Sequence, residues 1–208
     1  MTESSSYFSS DPIAVGQRIA CRIEYDGACY SGWQAQPHLR VQTVQEKLEG
    51  ALAAVATVPI RVQCAGRTDT GVHGHGQIIH FDAPVTRSSK SWVMGANANL
   101  PQDIRVHWAV VVPEEFHARF SALSRRYRYI IANTPVRPAI LNGKVTWQRK
   151  RLDAGLMHRA AQCLLGERDF SAFRAANCQS RTAMRNIHAL TVTRRSDMIM
   201  IDIQANAF

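Results

Sequence analysis

A chain of 208 residues can bury a sizeable core and suits one large domain or two small ones. Its formal net charge of +9, from 25 Lys and Arg against 16 Asp and Glu, favours a polyanionic partner, because a basic face releases counterions when it neutralises phosphates. No run is long enough to cross a bilayer and the start Met1-Thr2-Glu3-Ser4 is not a secretory signal, so the expectation is a cytoplasmic protein with no membrane partner.

Residues 1–16 are Ser-rich and aperiodic and read as a flexible tail. From Arg18, the alternation of Ile19, Cys21, Ile23 and Tyr25 with polar neighbours predicts a strand with one buried face. Thr43-Val44-Gln45-Glu46 matches a capping box, and Val44, Leu48, Ala51, Leu52 and Val55 then fall on one helical face. Two strands follow, the first through Ile60, Val62 and Cys64 and the second through Gln77–Phe81. A second helix runs from Ser89 to about Asn99 and stops before Pro101, which disfavours helical geometry in Leu100. Ile104 to Val112 make a fourth strand. The order βαββαβ over residues 17–115 is the ferredoxin-like split unit.

Residues 116–208 begin the same way. A strand spans Ser124–Asn133, a helix runs from about Asp153 to Leu165 with Gly166 as its stop, and strands Ile187–Arg194 and Met198–Gln204 are joined by a turn at Arg195-Ser196-Asp197. This second half reads βαββ, without the αβ that completes the first, and on that count a further C-terminal segment is expected. The predicted fold class is α+β: two ferredoxin-like halves forming a mainly antiparallel sheet with helices, the second half incomplete.

Between the second and third strands lies Gly66-Arg67-Thr68-Asp69-Thr70-Gly71-Val72-His73, a glycine-bracketed loop that sets one carboxylate beside one cation. Asp69 could be a nucleophile, a general base, a metal ligand or a turn residue. Arg67 could hold its charge or contact a substrate. His73 and His75 beside Asp69 suggest a metal-dependent hydrolase as a rival, with His80, His107 and His117 as further ligands only by proximity in sequence. Cys21, Cys29, Cys64, Cys163 and Cys178 are odd in number and lack CxxC or zinc-ligand spacing, which argues against a disulfide framework or structural zinc. Basic clusters with nearby aromatics occur at Arg125-Arg126-Tyr127-Arg128-Tyr129, at Arg149-Lys150-Arg151 and from Arg174 to Arg185, including Arg181. Such clusters suit RNA, whose phosphates need charge and whose unstacked bases need a flat surface. Tyr127 is either a core tyrosine or a ring that stacks on a base. A non-catalytic RNA-binding module is a second alternative.

The chain resembles the TruA family of bacterial tRNA pseudouridine synthases. The motifs that carry the resemblance are Ile23–Gly27, Tyr30–Gln34, Val44–Leu48, Ala65–His73, Asn97–Pro101, Phe116–Ser121, Arg125–Tyr129, Asp169–Phe173 and Asp202–Phe208. The resemblance implies isomerisation of uridine to pseudouridine at positions 38 to 40 of the tRNA anticodon arm, by a homodimer without metal or organic cofactor. It places Asp69 on the catalytic aspartate, Arg67 on an arginine that fills space left by the target base, and Tyr127 on a tyrosine that packs against that base. Arg125, Arg126, Arg128 and Arg181 are then candidate RNA contacts. Thr70 stands where many members have Ala. Members continue past the Asn-Ala-Phe match, where this sequence ends, into a helix whose arginine is expected to pair with the aspartate, so the expectation is reduced activity for these 208 residues.

Overall fold

Pairing of the chain begins earlier than apolar alternation does. The computed structural model describes residues 9–36, 38–174 and 182–208. Within it Pro12–Ile13 (β1) pairs antiparallel with Arg87–Ser88 (β5), and Ile13 is buried. The stretch read as a flexible tail therefore contains a pinned strand, held by one apolar side chain and too short to show a period.

The periodic elements of the first half form where the pattern places them. They are β2 (Arg18–Tyr25), α1 (Val44–Ala56), β3 (Gln63–Cys64), β4 (Gly74–Asp82), α2 (Ser89–Asn99) and β6 (Ile104–Val112). Thr43 caps α1 by accepting the Glu46 N–H, and Ser88 caps α2 by accepting the Ser91 N–H. The four strands lie in the order β3-β4-β2-β6, every pairing antiparallel, as the split βαββαβ unit requires. Helices α1 and α2 pack together, and one core joins Ile19, Ile23, Leu48, Leu52, Ile79, Trp92 and Ile104.

One strand is shorter than expected. Ile60 and Val62 are buried as the alternation implies, yet the Val62 N–H donates to Glu49 Oε1 at 3.0 Å instead of to a strand. Glu49 is a buried carboxylate on α1 that also accepts from Gln45 and pairs with Arg61. Ladder pairing starts only at Gln63.

The chain divides into two units between Ala122 and Leu123, later than the 115/116 boundary of the sequence reading. The reason is local. Ala118 N–H donates to His80 Nδ1 at 3.1 Å, and the Arg18 guanidinium donates to the carbonyls of Glu114 and Phe116, so these residues stay with the first unit.

The second unit contains β7 (Arg125–Ala132), β8 (Thr146–Trp147), α3 (Ala154–Ala161), β9 (Gly166–Asp169), β10 (Met184–Arg195) and β11 (Met198–Ala205). Its sheet order is β8-β7-β11-β10-β9, antiparallel except for β8 on β7. The order β7-β11-β10 repeats β2-β4-β3 of the first unit, with α3 in the place of α1. The short strands β8 and β9 show no period and were not anticipated. Helix α3 ends at Ala161 and tightens into a 3-10 turn before Gly166, whose φ of +80° is left-handed. Its apolar residues Ala154, Met157 and Ala161 pack on Ile131, Val192 and Ile199.

Candidate active site

Because β3 ends at Cys64 and β4 begins at Gly74, residues 65–73 must reverse the chain. The reversal is fixed at both ends and from behind. The Gln77 side chain brackets the backbone of Gly66, its Oε1 accepting the Gly66 N–H at 3.3 Å while its Nε2 donates to the Gly66 carbonyl. Further along, the Val72 N–H donates to the Asp69 carbonyl at 3.2 Å, with Gly71 at φ +80°. Asp69 is thus the first residue of a turn whose third position demands a positive φ, as in type II.

Behind the loop lies the segment between β2 and α1. Trp33 N–H donates to the Thr68 carbonyl at 2.9 Å, and the hydroxyls of Tyr25 and Thr68 are 2.7 Å apart. A Cβ on Gly27 would sit 2.0 Å from the Val72 carbonyl oxygen, and one on Gly32 would sit 2.7 Å from that of Thr68. The loop backbone therefore rests on the missing side chains of two glycines. That support is tied to α1: Gln45 N–H donates to the Trp33 carbonyl at 3.0 Å and Gln45 Oε1 accepts the Ala35 N–H at 3.1 Å. These supporting residues were not singled out as functional from sequence. Gly27, Trp33 and Gln45 lie in the motifs that carry the resemblance, but their role depends on contacts far along the chain.

The backbone of Asp69 is held while its side chain stays exposed. Among the described residues its carboxylate has no hydrogen-bond or ion-pair partner, and no ion pair joins it to Arg67, which is also exposed. An exposed carboxylate on an anchored backbone can reach a ligand, as a nucleophile or a base must.

The histidines are occupied elsewhere. His73 Nδ1 lies 2.8 Å from Asp26 Oδ1. His107 Nε2 lies 2.6 Å from Glu24 Oε2, and the Arg22 guanidinium lies 3.3 Å from His75 Nε2. His80 is buried against Phe116 and His117. Among the described residues no three His, Cys, Asp or Glu side chains gather as a metal site, so the His-x-His ligand set of the hydrolase reading is not assembled around Asp69. Cys21, Cys29, Cys64 and Cys163 are free thiols, and Cys178 lies outside the described residues.

In the second unit, Tyr127 is half-buried on β7 opposite Ile203, with its ring edge-on to Phe208 at 4.7 Å. Of the residues sharing its face, Ile131 is buried but Tyr129 is 53% exposed, so the face is not simply core. Arg126 and Arg128 alternate onto the other face, where both meet Asp202. Arg128 is bidentate at 2.9 and 3.1 Å, and Arg126 lies at 3.2 Å. The Arg128 hydrogen bonds hold the Asp202 carboxyl below the usual carboxylate range, with Arg126 adding to the effect. Arg125 donates to the Asn206 carbonyl at 2.9 Å. The basic cluster is therefore partly committed to β11, which only the strand register reveals. Arg181 lies outside the described residues.

A model of the family described as tRNA pseudouridine synthase matches residues 22–121 and 160–208. Arg67 and Asp69 fall inside the first match, while Arg125, Arg126, Tyr127 and Arg128 fall between the two. Over 191 residues the chain is 56% identical to tRNA pseudouridine synthase A of Legionella pneumophila (strain Lens), covering 92% of this chain and 72% of that protein. It is 58% identical over 191 residues to the proteins of that name from Shigella boydii serotype 4 (strain Sb227) and Escherichia coli O9:H4 (strain HS), covering 92% of this chain and 70% of each relative. The chain belongs to the tRNA pseudouridine synthase family, isomerases that act on tRNA.

Proposed function

We propose that this protein converts uridine to pseudouridine at positions 38 to 40 of the tRNA anticodon arm, with Asp69 as the nucleophile. The observation that carries this reading is the exposed Asp69 carboxylate on a loop pinned by Gln77, Thr68, Gly27 and Gly32. The reaction is a balanced isomerisation. The bond from ribose C1′ to uracil N1 breaks, a bond from C1′ to C5 forms, C5 gives up a proton and N1 gains one. No electrons are gained or lost, so neither oxidant nor cofactor enters. The Asp69 carboxylate attacks the uracil ring or the ribose and is released when the adduct collapses, dividing one hard step into two. Its target lies inside a stacked stem or loop, so the nucleotide must first flip out. In this reading Arg67 occupies the space the base leaves and Tyr127 packs against the flipped ring. Arg125, Arg126, Arg128 and Arg181 contact phosphates. The protein works in the cytoplasm as a homodimer that holds one elongated tRNA.

The test is pseudouridine formation on an unmodified tRNA transcript by the parent and by Asp69→Asn, with tRNA binding measured in parallel. The expected outcome is a rate loss of more than about a thousandfold with binding retained, since the amide cannot form the adduct. A variant that keeps the parent's rate would remove Asp69 from the chemistry.

A further inference from the structure

The connection from β7 to β8, which the proposed function does not use, contains a cavity of about 340 Å³ lined by Arg137, Asn142, Thr146 and Trp147 among others. That volume lies at the small end of the range of ligand pockets, about 300–1000 Å³. Its walls are built from the backbone upward. Strand β8 runs parallel to the end of β7, with Thr146 beside Ile131 and Trp147 beside Ala132. The Trp147 indole N–H donates to the Thr134 carbonyl at 3.0 Å, which fixes the ring from below. The Arg137 guanidinium carbon then sits 5.2 Å from the ring centroid, within cation–π reach.

Arg137 differs from the arginines of β7. Arg126 and Arg128 give hydrogen bonds to Asp202, and Arg125 gives one to a carbonyl. Arg137 is exposed, and among the described residues its N–H groups meet no acceptor. It is a cation held in place by an aromatic ring, with its fork of donors unspent. A guanidinium with those properties suits a phosphate, which it can grip in bidentate fashion with little further loss of side-chain freedom. The cavity beside it, lined also by Asn142 and Thr146, has room for the attached ribose or base.

We infer that the Arg137–Trp147 pair and its cavity form a tRNA contact of the second unit, gripping one backbone phosphate and its nucleotide. The inference rests on tRNA being the substrate, and a net charge of +9 supports a polyanion there over an acidic peptide of lower charge density.

The test is the tRNA dissociation constant as a function of salt, read by fluorescence anisotropy for the parent, Arg137→Ala, Arg137→Lys, Trp147→Leu and the double variant Arg137→Ala/Trp147→Leu, with Arg87→Ala as an exposed charge control on the first unit. Arg137→Ala is expected to weaken binding roughly fivefold to tenfold and to make the log–log salt slope shallower by about one. Arg137→Lys should recover only part of the loss, since an ammonium keeps the charge but not the planar fork. The double variant should be no weaker than Arg137→Ala alone, because the indole acts by holding the guanidinium. Unchanged binding by Arg137→Ala overturns the inference, as does an equal loss in Arg87→Ala, which would mean a general charge effect. Because binding is read without turnover, the contact can fail while Asp69 still proves essential, or hold while Asp69 does not. A parent chain that binds no tRNA would overturn the contact and the tRNA reading together.

Discussion

At the scale of single residues, the Asp69 loop depends on two glycines, Gly71 within it and Gly32 in the segment behind it. Gly32 and Gly71 both have left-handed φ, +83° and +80°, but a Cβ on Gly71 would meet nothing within 4 Å, whereas one on Gly32 would press on the Thr68 carbonyl oxygen at 2.7 Å. An L side chain in that region costs about 1–2 kcal/mol by itself. Gly71→Ala is therefore expected to lose about that much stability in urea denaturation, with pseudouridine formation within a few-fold of the parent. In Gly32→Ala the added methyl must also push back a backbone carbonyl that the Trp33 N–H holds. That variant should lose at least twice as much stability and shift the Asp69 carboxylate, lowering turnover by about a hundredfold. If the two variants behave alike, the close approach at Gly32 does not position the loop.

At the scale of elements, the docking of residues 116–120 onto β4 depends on one buried imidazole. His80 Nδ1 must be unprotonated to accept the Ala118 N–H. Burial lowers its pKa below the ordinary histidine value, and the neighbouring charges of His117 and Arg18 lower it further while Asp82 opposes them. The unfolded chain thus binds a proton on this residue at a higher pH than the folded chain does. The contribution of His80 is fully present above about pH 6.5 and is lost as pH falls towards the depressed folded value. Melting temperatures from pH 7.5 to pH 5 should fall more steeply for the parent than for His80→Gln, whose amide oxygen can accept the same N–H without titrating. Parallel profiles would mean that His80 is not the group that links this docking to pH. The sequence could not show this contact, because His80 sits in an alternating strand pattern with no mark of what it faces. Legibility elsewhere follows the same physics. Long periodic elements such as β6 and α2 were readable to the residue. The two-residue strands β1, β5 and β8 were not, since a period needs several residues to appear. The shortening of β3 was hidden because Glu49, a polar residue on α1, takes the Val62 N–H, and apolar periodicity is blind to a buried polar network. In the candidate site, the glycine-bracketed Asp69 loop was legible. Its supports at Gly27 and Gly32, and the pairing of Asp202 with Arg126 and Arg128, depend on chain crossings and strand register that local pattern does not encode.

At the scale of the whole molecule, the surplus of +9 sets the strength of any polyanion contact, but part of the basic surface is already spent within the protein. Arg126, Arg128 and Asp202 together carry a net single positive charge, although two guanidiniums face outward at 63% and 52% side-chain exposure. Asp202 is much less exposed, at 15%, so its charge is closely covered by its two partners. Asp202→Asn raises the formal charge by one and releases donors on both arginines. The lost ion pairs are at the surface on the arginine side, so the stability cost should be small. If tRNA phosphates reach this face, each one neutralised adds roughly 0.7 to 0.9 to the steepness of log K against log salt. The variant is therefore expected to bind tRNA more tightly than the parent at low salt, to show a slope steeper by up to about one, and to converge with the parent as salt rises. Such a gain would mean that Asp202 competes with the substrate for these arginines. Weaker binding by Asp202→Asn at low salt would instead mean that the carboxylate orients the two guanidiniums for tRNA, and that geometry outweighs charge on this face of the sheet.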